Sequence, residues 1–582
     1  MPKITIDGKE FEAEAGKTVI QVALENGMEI PHFCWHPALT VSGNCRMCLV
    51  EVEKMPKLQI ACATPIAEGM VVKTMSEVAT KGREDVMEFL LVNHPLDCPI
   101  CDEAGQCKLQ DYAYDHSRGE SRFMEEKNHK DKRVPFGPNV LFDGERCISC
   151  SRCIRFASEI ADQPVLTFVD RGDHNTIRAV PDMGFDNINS MNVIDICPVG
   201  ALTSRDFRFK ARVWDMSFTD SVCTACSRNC SIRTGVRNNE VLRLEPRTNM
   251  NVNEYWMCDH GRLNAYPHVN APERIEKAWV KIQGFHEQVS WEEGARTAAE
   301  RLKRFKHDEV LFIGSGNVPV EDNYLFARFA KERFAQKTVR FIQYFEGQDD
   351  RLLLRAEKTA NARGLAAIGL KADKIVAGEH SAKEIIAELT SGRIKAVWAL
   401  EDNFMHDEQI AEAFKNVEFF VCHATNESDT TKRADVVFGA STWAEREGVI
   451  VNFAGWTQKL RPAVSTAYQV RGLDHLNQSR LDRFGTPYDK WATKNKRDVF
   501  ESWRIVQMVA DHMGAHYKYH YTEDIFDEIA ASVPEFAAMD YEKIGEQGLP
   551  VAGLKQDSIP VLYSESYQAA TERLEGIGSL IL

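Results

Sequence analysis

Cysteine placement constrains this chain more than any other feature. Fifteen of its sixteen cysteines lie in the first 258 of its 582 residues, and only Cys422 lies beyond them. Ordinary use of cysteine in buried cores does not produce so uneven a distribution, which therefore predicts a metal-binding front half. With one histidine added, we number four groups of candidate ligands in chain order: first Cys34, Cys45, Cys48 and Cys62; second His94, Cys98, Cys101 and Cys107; third Cys147, Cys150, Cys153 and Cys197; fourth Cys223, Cys226, Cys230 and Cys258.

Composition narrows the class of protein. With 44% hydrophobic and 27% charged residues, the chain is typical of soluble globular proteins, and its length predicts several cores. A net charge of -15 argues against a nucleic-acid surface, so no nucleic-acid partner is expected. We expect neither a signal peptide nor a membrane-spanning stretch. In a reducing cytoplasm close-set cysteines favour metal ligands, with disulfides as the alternative.

The first group has the spacing Cys-x10-Cys-x2-Cys-x13-Cys, which places three ligands on one loop and the fourth at a later strand. This arrangement is typical of a [2Fe-2S] site, in which four thiolates share two irons. Zinc is the alternative, although its usual close-set ligand pairs fit this spacing poorly. A Rieske centre would need histidine where Cys48 stands, so His32 and His36 are predicted to be loop residues.

The second group supplies three thiolates, one fewer than a [4Fe-4S] cubane needs. His94 is the nearest candidate for the fourth ligand and follows a helix predicted over 76–92, which the sequence His94-Pro95 should end. The alternative is a capping or surface histidine. A neutral imidazole in place of a thiolate would make the site less negative and raise its reduction potential.

The third and fourth groups each begin with a tight triplet. Cys147-x2-Cys150-x2-Cys153 with the later Cys197 predicts one cubane, and Ala157 stands where two-cluster ferredoxins place a shared cysteine. The fourth group encloses a strand predicted over 241–246, which indicates a small β-rich domain. A zinc ribbon is the competing interpretation there.

Basic residues flank these groups. Arg146, Arg152 and Arg155 surround the third group, where they either offset the negative charge of a thiolate-bound cluster or form a solvated basic face. The same two interpretations apply to the second run of basic residues: Arg205, Arg208, Lys210 and Arg212.

Elsewhere, turn signals and apolar runs outline the fold. A hairpin is predicted over 3–13 and helices over 17–26, 290–305, 498–513 and 566–574, while 111–138 is predicted to be a surface connection. Apolar runs at 310–313, 395–400, 417–422 and 434–438 alternate with helical stretches, which is typical of a parallel α/β domain. Gly314-Ser315-Gly316 is interpreted as a strand-end turn, and Cys422 as a buried core thiol.

Four motif sets, taken in order, carry a family resemblance. They are CWHPALTVSGNCRMC, NHPLDCPICDEAGQCKLQD, CISCSRC with ICPVGAL, and CTACSRNC with YWMCDHGR. These resemble the G subunits, or 75-kilodalton subunits, of bacterial respiratory NADH:quinone oxidoreductase, complex I. The resemblance implies one [2Fe-2S] cluster on the first group and three [4Fe-4S] clusters on the others, with the fourth cluster away from the main electron path.

The same resemblance implies a role within a complex. Electrons would pass from a flavin-bearing, NADH-binding subunit towards quinone-side subunits, at the cytoplasmic face of the bacterial inner membrane. Membrane contact would come only through partner subunits. No residue is expected to perform acid-base or nucleophilic catalysis.

The second half resembles a molybdopterin oxidoreductase domain. The segment TNESDTTKRADVVFGASTWAEREGVIVNFAGWTQKLRPAV is similar to that superfamily, with departures at Phe438, Gly439, Val449 and Trp456. Active members supply a metal ligand well before this point, whereas no cysteine lies between Cys258 and Cys422. We therefore expect a degenerate scaffold without molybdenum.

The expected fold class is α/β multidomain. The predicted domains are a β-grasp [2Fe-2S] ferredoxin-like domain (1–78), a [4Fe-4S] domain with one histidine and three cysteine ligands (79–118), a ferredoxin-type [4Fe-4S] domain (136–215), a small β-rich [4Fe-4S] domain (216–272) and a molybdopterin-oxidoreductase-like α/β domain (273–582). The predicted function is electron transfer in a proton-translocating NADH:quinone oxidoreductase. The alternatives are the large subunit of an NAD-linked formate dehydrogenase, the electron-transfer subunit of an NAD-linked hydrogenase, and a zinc-stabilised scaffold.

Overall fold

The computed structural model describes residues 1–553, except 182, 337, 379–380 and 469–495. These residues form two compact units, Met1–Trp214 and the residues from Asp215 onward. The helix predicted over 566–574 lies outside the described residues. The finer division into five domains stays a prediction.

The first unit begins with a mixed five-stranded sheet and one helix. Its elements are β1 (Lys3–Ile6), β2 (Lys9–Glu12), α1 (Val19–Glu25), β3 (Leu49–Val52), β4 (Gln59–Ile60) and β5 (Met70–Lys73). The strand order is β2-β1-β5-β3-β4, with β1 antiparallel to β2 and parallel to β5. Asp7 and Gly8 both have positive φ, so the predicted hairpin turn is confirmed. Apolar residues of α1 and the sheet form one core that also contains Cys48 and Cys62.

Short elements make up the remainder of this unit. They are α2 (Glu77–Val92), α3 (Lys108–His116), β6 (Val134–Pro135), β7 (Val140–Phe142), α4 (Arg152–Arg155), β8 (Leu166–Val169), β9 (Thr176–Ala179), α5 (Asn192–Asp195) and β10 (Leu202–Ser204). Strands β10, β7 and β6 form one small sheet, and β8 pairs with β9. Ser76 caps α2 by accepting a hydrogen bond from the Ala79 amide, and the helix ends before His94-Pro95, as predicted.

Helix α3 extends to His116 and so covers the first residues of the predicted surface connection over 111–138. Only Leu109 and Tyr112 of this helix are buried, so its sequence carries little helical periodicity. The Tyr112 hydroxyl donates to Glu29 over 2.9 Å, and its ring packs edge-on against Phe33. Contacts with residues distant in sequence therefore stabilise a helix that local pattern does not predict.

The second unit contains the fourth group, a large sheet and its helices. Its elements are β11 (Ser217–Val222), β12 (Ser231–Arg237), β13 (Glu240–Pro246), α6 (Asp259–Asn264), α7 (Pro267–Asn270), β14 (Ala278–Ile282), β15 (Phe285–Val289), α8 (Trp291–Leu302), β16 (Val310–Ser315), α9 (Val320–Phe334), β17 (Arg340–Phe345), α10 (Ala362–Ala367), β18 (Lys371–Val376), α11 (Lys383–Thr390), β19 (Ala396–Ala399), α12 (Glu408–Ala413), β20 (Phe419–Ala424), α13 (Asp429–Arg433), β21 (Val436–Gly439), β22 (Gly448–Val451), β23 (Trp456–Leu460), α14 (Ser502–His512), α15 (Thr522–Ser532), α16 (Tyr541–Ile544) and β24 (Leu549–Pro550).

The large sheet confirms the predicted parallel α/β architecture. Its order is β15-β14-β21-β20-β19-β16-β17-β18, with β21 through β18 parallel and β14 antiparallel to β21. Successive residues of β16 alternate between two cores: Val310 and Phe312 face one, Leu311 and Ile313 the other. Burial of both faces explains the continuous apolar runs. The four predicted strands are β16, β19, β20 and β21, whereas β17 and β18 were not predicted.

Two smaller interpretations are also confirmed in this unit. Strand β16 ends at Ser315 and Gly316 begins the turn that follows; at Gly314 the Asn323 side chain lies 2.7 Å from where a β-carbon would stand. Cys422 is a core thiol with 1% of its surface exposed. The strand predicted over 241–246 is confirmed as β13, which belongs to the antiparallel sheet β11-β12-β13.

Candidate metal centres

Three cysteines of the first group lie on the loop between α1 and β3, and the fourth, Cys62, follows β4. Cys34 contacts the thiols of Cys45 and Cys62, and Cys48 contacts Cys62, so all four thiols lie together. These contacts lower the pKa of Cys34 and Cys48 and raise the pKa of Cys45 and Cys62, because one thiolate accepts hydrogen bonds while its neighbours stay protonated.

His32 and His36 are engaged in local backbone contacts, consistent with loop residues. The Nδ1 atom of His32 lies 2.7 Å from the Ile30 carbonyl oxygen, and that of His36 accepts from the Ala38 amide at 3.2 Å. Burial lowers the pKa of His32 to about 4 and that of His36 to about 3, so both rings are neutral at pH 7.

The third group lines an apolar cavity. All four of its cysteines face this cavity, together with Phe142, Ile148, Ile177, Val199, Ala201, Leu202 and the adjoining loop residues. Ser149 and Ser151 take left-handed backbone conformations between the cysteines of the triplet. Burial raises the pKa of Cys147 to about 12 and those of Cys153 and Cys197 well above their ordinary value.

The fourth group is the most uniformly buried. Cys223 follows β11, Cys230 precedes β12, and Cys258 caps α6 by accepting a hydrogen bond from the Gly261 amide at 3.3 Å. A side chain at Gly261 would meet the Cys223 sulfur at 3.0 Å. Cys226 completes the group, and all four exposures are 4 to 5%. Burial raises the pKa of Cys258 to about 12 and also raises those of Cys223 and Cys230.

The second group is the most exposed to solvent of the four groups. Cys98 is exposed on a 3-10 turn, whereas Cys107 is buried at the start of α3. The Cys101 sulfur lies so close to Gly200 that a β-carbon would not fit there. The Nδ1 atom of His94 is buried and has no hydrogen-bond partner among the described residues.

An imidazole nitrogen without a partner fits a metal ligand. Burial lowers the pKa of His94 to about 4, so the ring is neutral at pH 7 and can offer a lone pair without first losing a proton. A capping role finds no support, because the C-cap residue of α2 is Asn93. His94 therefore suits the donor set that three cysteines leave incomplete.

The arginines around the third group are buried, which contradicts a solvated basic face there. Arg146, Arg152 and Arg155 have exposures of 5%, 6% and 9%. Arg146 forms ion pairs with Asp143 and, at 2.7 Å, with Asp97. Sequence alone left this choice open, since their partners lie up to 121 residues away.

The second basic run contains both solvent-exposed residues and one residue whose side chain is hydrogen-bonded to backbone carbonyl oxygens. Arg205 and Lys210 are exposed, whereas Arg212 donates hydrogen bonds to the carbonyl oxygens of Pro99 and Cys101. Arg212 thus contacts the loop of the second group.

Two kinds of feature, a site for a single metal ion and a membrane-spanning helix, are absent from the described residues. Within the described ranges, no three or more His, Cys, Asp or Glu side chains are arranged to hold a single metal ion. No helix in the described part of the chain is long and apolar enough to cross a membrane. The complete ligand sets therefore remain predictions.

Five family models match successive parts of the chain. They are the 2Fe-2S iron-sulfur cluster binding domain (2–77), the NADH-ubiquinone oxidoreductase-G iron-sulfur binding region (83–122), the NADH-quinone oxidoreductase subunit 3 ferredoxin-like domain (137–203), the molybdopterin oxidoreductase Fe4S4 domain (216–270) and molybdopterin oxidoreductase (355–472). The chain thus contains iron-sulfur binding domains of both the 2Fe-2S and 4Fe-4S types, followed by a molybdopterin-oxidoreductase-like α/β domain.

Among similar proteins, the NADH-quinone oxidoreductase G subunit of Rickettsia conorii is 42% identical over 326 residues, 56% of this chain and 48% of the relative. Over about half of its length the chain is homologous to NADH-quinone oxidoreductase G subunits. The G subunit of Streptomyces coelicolor is 38% identical over 365 residues, covering 62% and 43% of the two chains. The NADH-ubiquinone oxidoreductase 75 kDa subunit of Reclinomonas americana is 40% identical over 328 residues, covering 56% and 47%.

The chain spans about half the length of these relatives. Among solved structures, an NAD+-reducing [NiFe]-hydrogenase chain is 31% identical with a TM-score of 0.33, covering 36% of this chain and 91% of that one. Acetylene hydratase from Pelobacter acetylenicus is 10% identical with a TM-score of 0.35, covering 58% and 74%. Neither score is high enough to assign a fold.

Proposed function

We propose that this chain is the electron-transfer iron-sulfur subunit of a proton-translocating NADH:quinone oxidoreductase. The single observation that carries the proposal is the enclosed third group, where four thiols line an apolar cavity beside buried arginines. An apolar site with four thiols suits a thiolate-ligated cluster, which would supply one-electron chemistry there. The protein supplies burial, charge and fixed distances between sites.

The proposed ligands are the sixteen residues of the four groups. The first group would hold one [2Fe-2S] cluster, and the second, third and fourth would each hold a [4Fe-4S] cluster. The contacting thiols of the first group and the buried, unpartnered nitrogen of His94 support these assignments. Raised thiol pKa values mean that metal loading releases protons.

The remaining assignments extend the proposal to the complex. The partners would be a flavin-bearing NADH-binding subunit and other hydrophilic-arm subunits, at the cytoplasmic face of a bacterial inner membrane. The α/β domain would act as a scaffold without molybdenum. The family resemblance and the absence of cysteine between Cys258 and Cys422 support this role.

An anaerobic redox titration followed by electron paramagnetic resonance tests the proposal. The intact chain should give one binuclear signal and three cubane signals that appear at distinct potentials. A colourless chain that stays silent on reduction would contradict electron transfer, and a molybdenum signal would favour the formate dehydrogenase alternative.

A further inference from the structure

Two buried arginines connect the first group to the third within the first unit. Arg152 and Arg155 lie on α4, which begins between the last two cysteines of the triplet. Both side chains reach the loop that carries Cys34, more than one hundred residues earlier. Because few buried guanidinium groups lack a carboxylate partner, this pair of contacts requires an explanation.

Arg155 joins two candidate ligands through one nitrogen atom. Its Nη2 atom donates to the carbonyl oxygen of Cys34 and, at 3.4 Å, to that of Cys150. Its Nη1 atom donates to the carbonyl of Thr40, and its Nε atom donates to the Ser151 hydroxyl at 3.1 Å. Two hydrogen bonds thus link the backbone of a first-group cysteine to that of a third-group cysteine.

Arg152 makes a second link of the same kind. Its Nη2 atom donates to the carbonyl of Trp35, next to Cys34, and its Nη1 atom donates to that of Ile196 at 3.0 Å, next to Cys197. Its Nε atom is buried without a hydrogen-bond partner in the part of the chain described here. One N–H donor therefore remains available beside the third group.

Other polar contacts also join these two loops. The Thr40 amide donates to Glu159 at 2.9 Å, and the Asn44 side chain donates to the Ser149 carbonyl at 2.9 Å. The hydroxyl of Ser151 donates to that of Ser42 at 3.2 Å. These contacts maintain the loop pairing independently of the arginines, so single arginine variants are expected to fold.

Charge gives the arginines a second effect. The electrostatic neighbours of Arg152 include the thiols of Cys150, Cys197 and Cys34, which belong to both groups. A buried cation stabilises nearby negative charge, and reduction adds negative charge to an iron-sulfur site. Removing either cation should therefore disfavour the reduced state of both sites.

We propose that Arg152 and Arg155 are positioning residues for one-electron transfer between the first and third groups, which they hydrogen-bond together and whose potentials they raise. This inference rests on the proposed function. The transfer oxidises one site and reduces the other by one electron, and no bond forms or breaks. Arg155 provides the shorter covalent and hydrogen-bonded route, through Cys34 and Cys150.

Two substitutions separate geometry from charge. Arg155→Lys keeps the positive charge but loses the planar guanidinium group and its several N–H donors. Arg155→Gln keeps a hydrogen-bond donor but loses the charge. Arg122→Gln is the matched control, because Arg122 is in the same unit and is mostly exposed beside Glu88. Iron and sulfide content, midpoint potentials and the magnetic interaction between the two reduced sites are measured on the intact chain.

Arg155→Gln should lower both midpoints by roughly the equivalent of a tenfold change in the redox equilibrium, about 59 mV for one electron. Arg155→Lys should leave the midpoints near the wild-type values but weaken the magnetic interaction and slow transfer between the sites. Arg122→Gln should change neither. Full iron content in every variant would show that these effects are not loss of a cluster.

The inference is overturned when fully loaded Arg155→Gln and Arg155→Lys proteins both keep wild-type midpoints and magnetic interaction. If Arg155→Gln loses iron, Arg152→Gln gives the same test, because it also removes one cation and one link. Failure of the proposed function is a different result: the wild-type chain itself would then carry no iron-sulfur signals.

Discussion

The region around the third group and the eight-stranded sheet bury very different side chains. Residues 134–204 contain strands of two to four residues, and they bury three arginines together with Cys150 and Cys153. The sheet of the second unit packs apolar side chains on both faces, with Trp398 fully buried in one core and Phe420 in the other. The first region also buries apolar side chains such as Phe136 and Phe156, but its proposed metal ligands lie among them. If they bind metal, the stability of this region should depend on metal more than that of the sheet.

Removing metal should give the largest effect and separate the two regions. An anaerobic chelator should strip amide protection from residues 134–204, because protonated buried thiols no longer hold the loops, while β16 and β19 keep theirs. Hydrogen exchange read by mass spectrometry measures both regions in one sample. Equal protection with and without chelator would show that the third-group region has a sufficient core of its own.

Removing a single thiol from each region should sharpen the contrast. Cys150→Ala should lose about four irons per chain and break the electron path, because one cubane loses a ligand. Cys422→Ala should lose no iron and cost roughly 1 kcal/mol, since it removes one small buried group. Metal analysis and urea unfolding check the pair; equal iron contents would remove Cys150 from the ligand set.

A change of ligand type should have a smaller effect, confined to the second group. His94→Cys should keep the iron content but lower the midpoint potential of that site, because a thiolate replaces a neutral imidazole. A redox titration of wild type and variant measures the difference. An unchanged midpoint would mean that His94 is not a ligand.

The smallest expected effect concerns a buried acid of the sheet region. Burial raises the pKa of Glu321 from 4.5 to about 8, so the folded protein retains a proton that the unfolded chain releases. Its contribution, on the order of a few kcal/mol, is complete below pH 4.5 and is lost as pH rises towards 8. Glu321→Gln should flatten this decline while still accepting hydrogen bonds from Val449 and Tyr541.

Urea unfolding between pH 5 and 8, followed by tryptophan fluorescence, measures that slope. The matched control is Glu332→Gln, at an exposed carboxylate on the same helix whose pKa is lowered. Equal slopes for wild type and Glu321→Gln would assign the pH dependence to other groups.

The elements that local sequence patterns predicted correctly are those stabilised by nearby residues or by burial of both faces of a strand. The hairpin at Asp7-Gly8, the helix over 76–92 and the apolar runs of β16 and β20 all use contacts within a few residues or a two-sided core. Helix α3 was not predicted because Tyr112, which anchors it, contacts Glu29 and Phe33, and these residues lie far from it in the sequence.

For the candidate site, spacing identified the four groups but could not show the arginine links. Arg155 and Cys34 are 121 residues apart, and no periodicity reports a contact of that range. The openness of Cys98 and the burial of the other groups likewise depend on tertiary packing.

Anaerobic analysis of iron, acid-labile sulfide, zinc and molybdenum in the intact purified chain tests the central claim most directly. One binuclear site and three cubanes predict about fourteen irons per chain, with matching sulfide and neither zinc nor molybdenum. Zinc in place of iron, or stoichiometric molybdenum, would contradict an electron-transfer subunit built on these four groups.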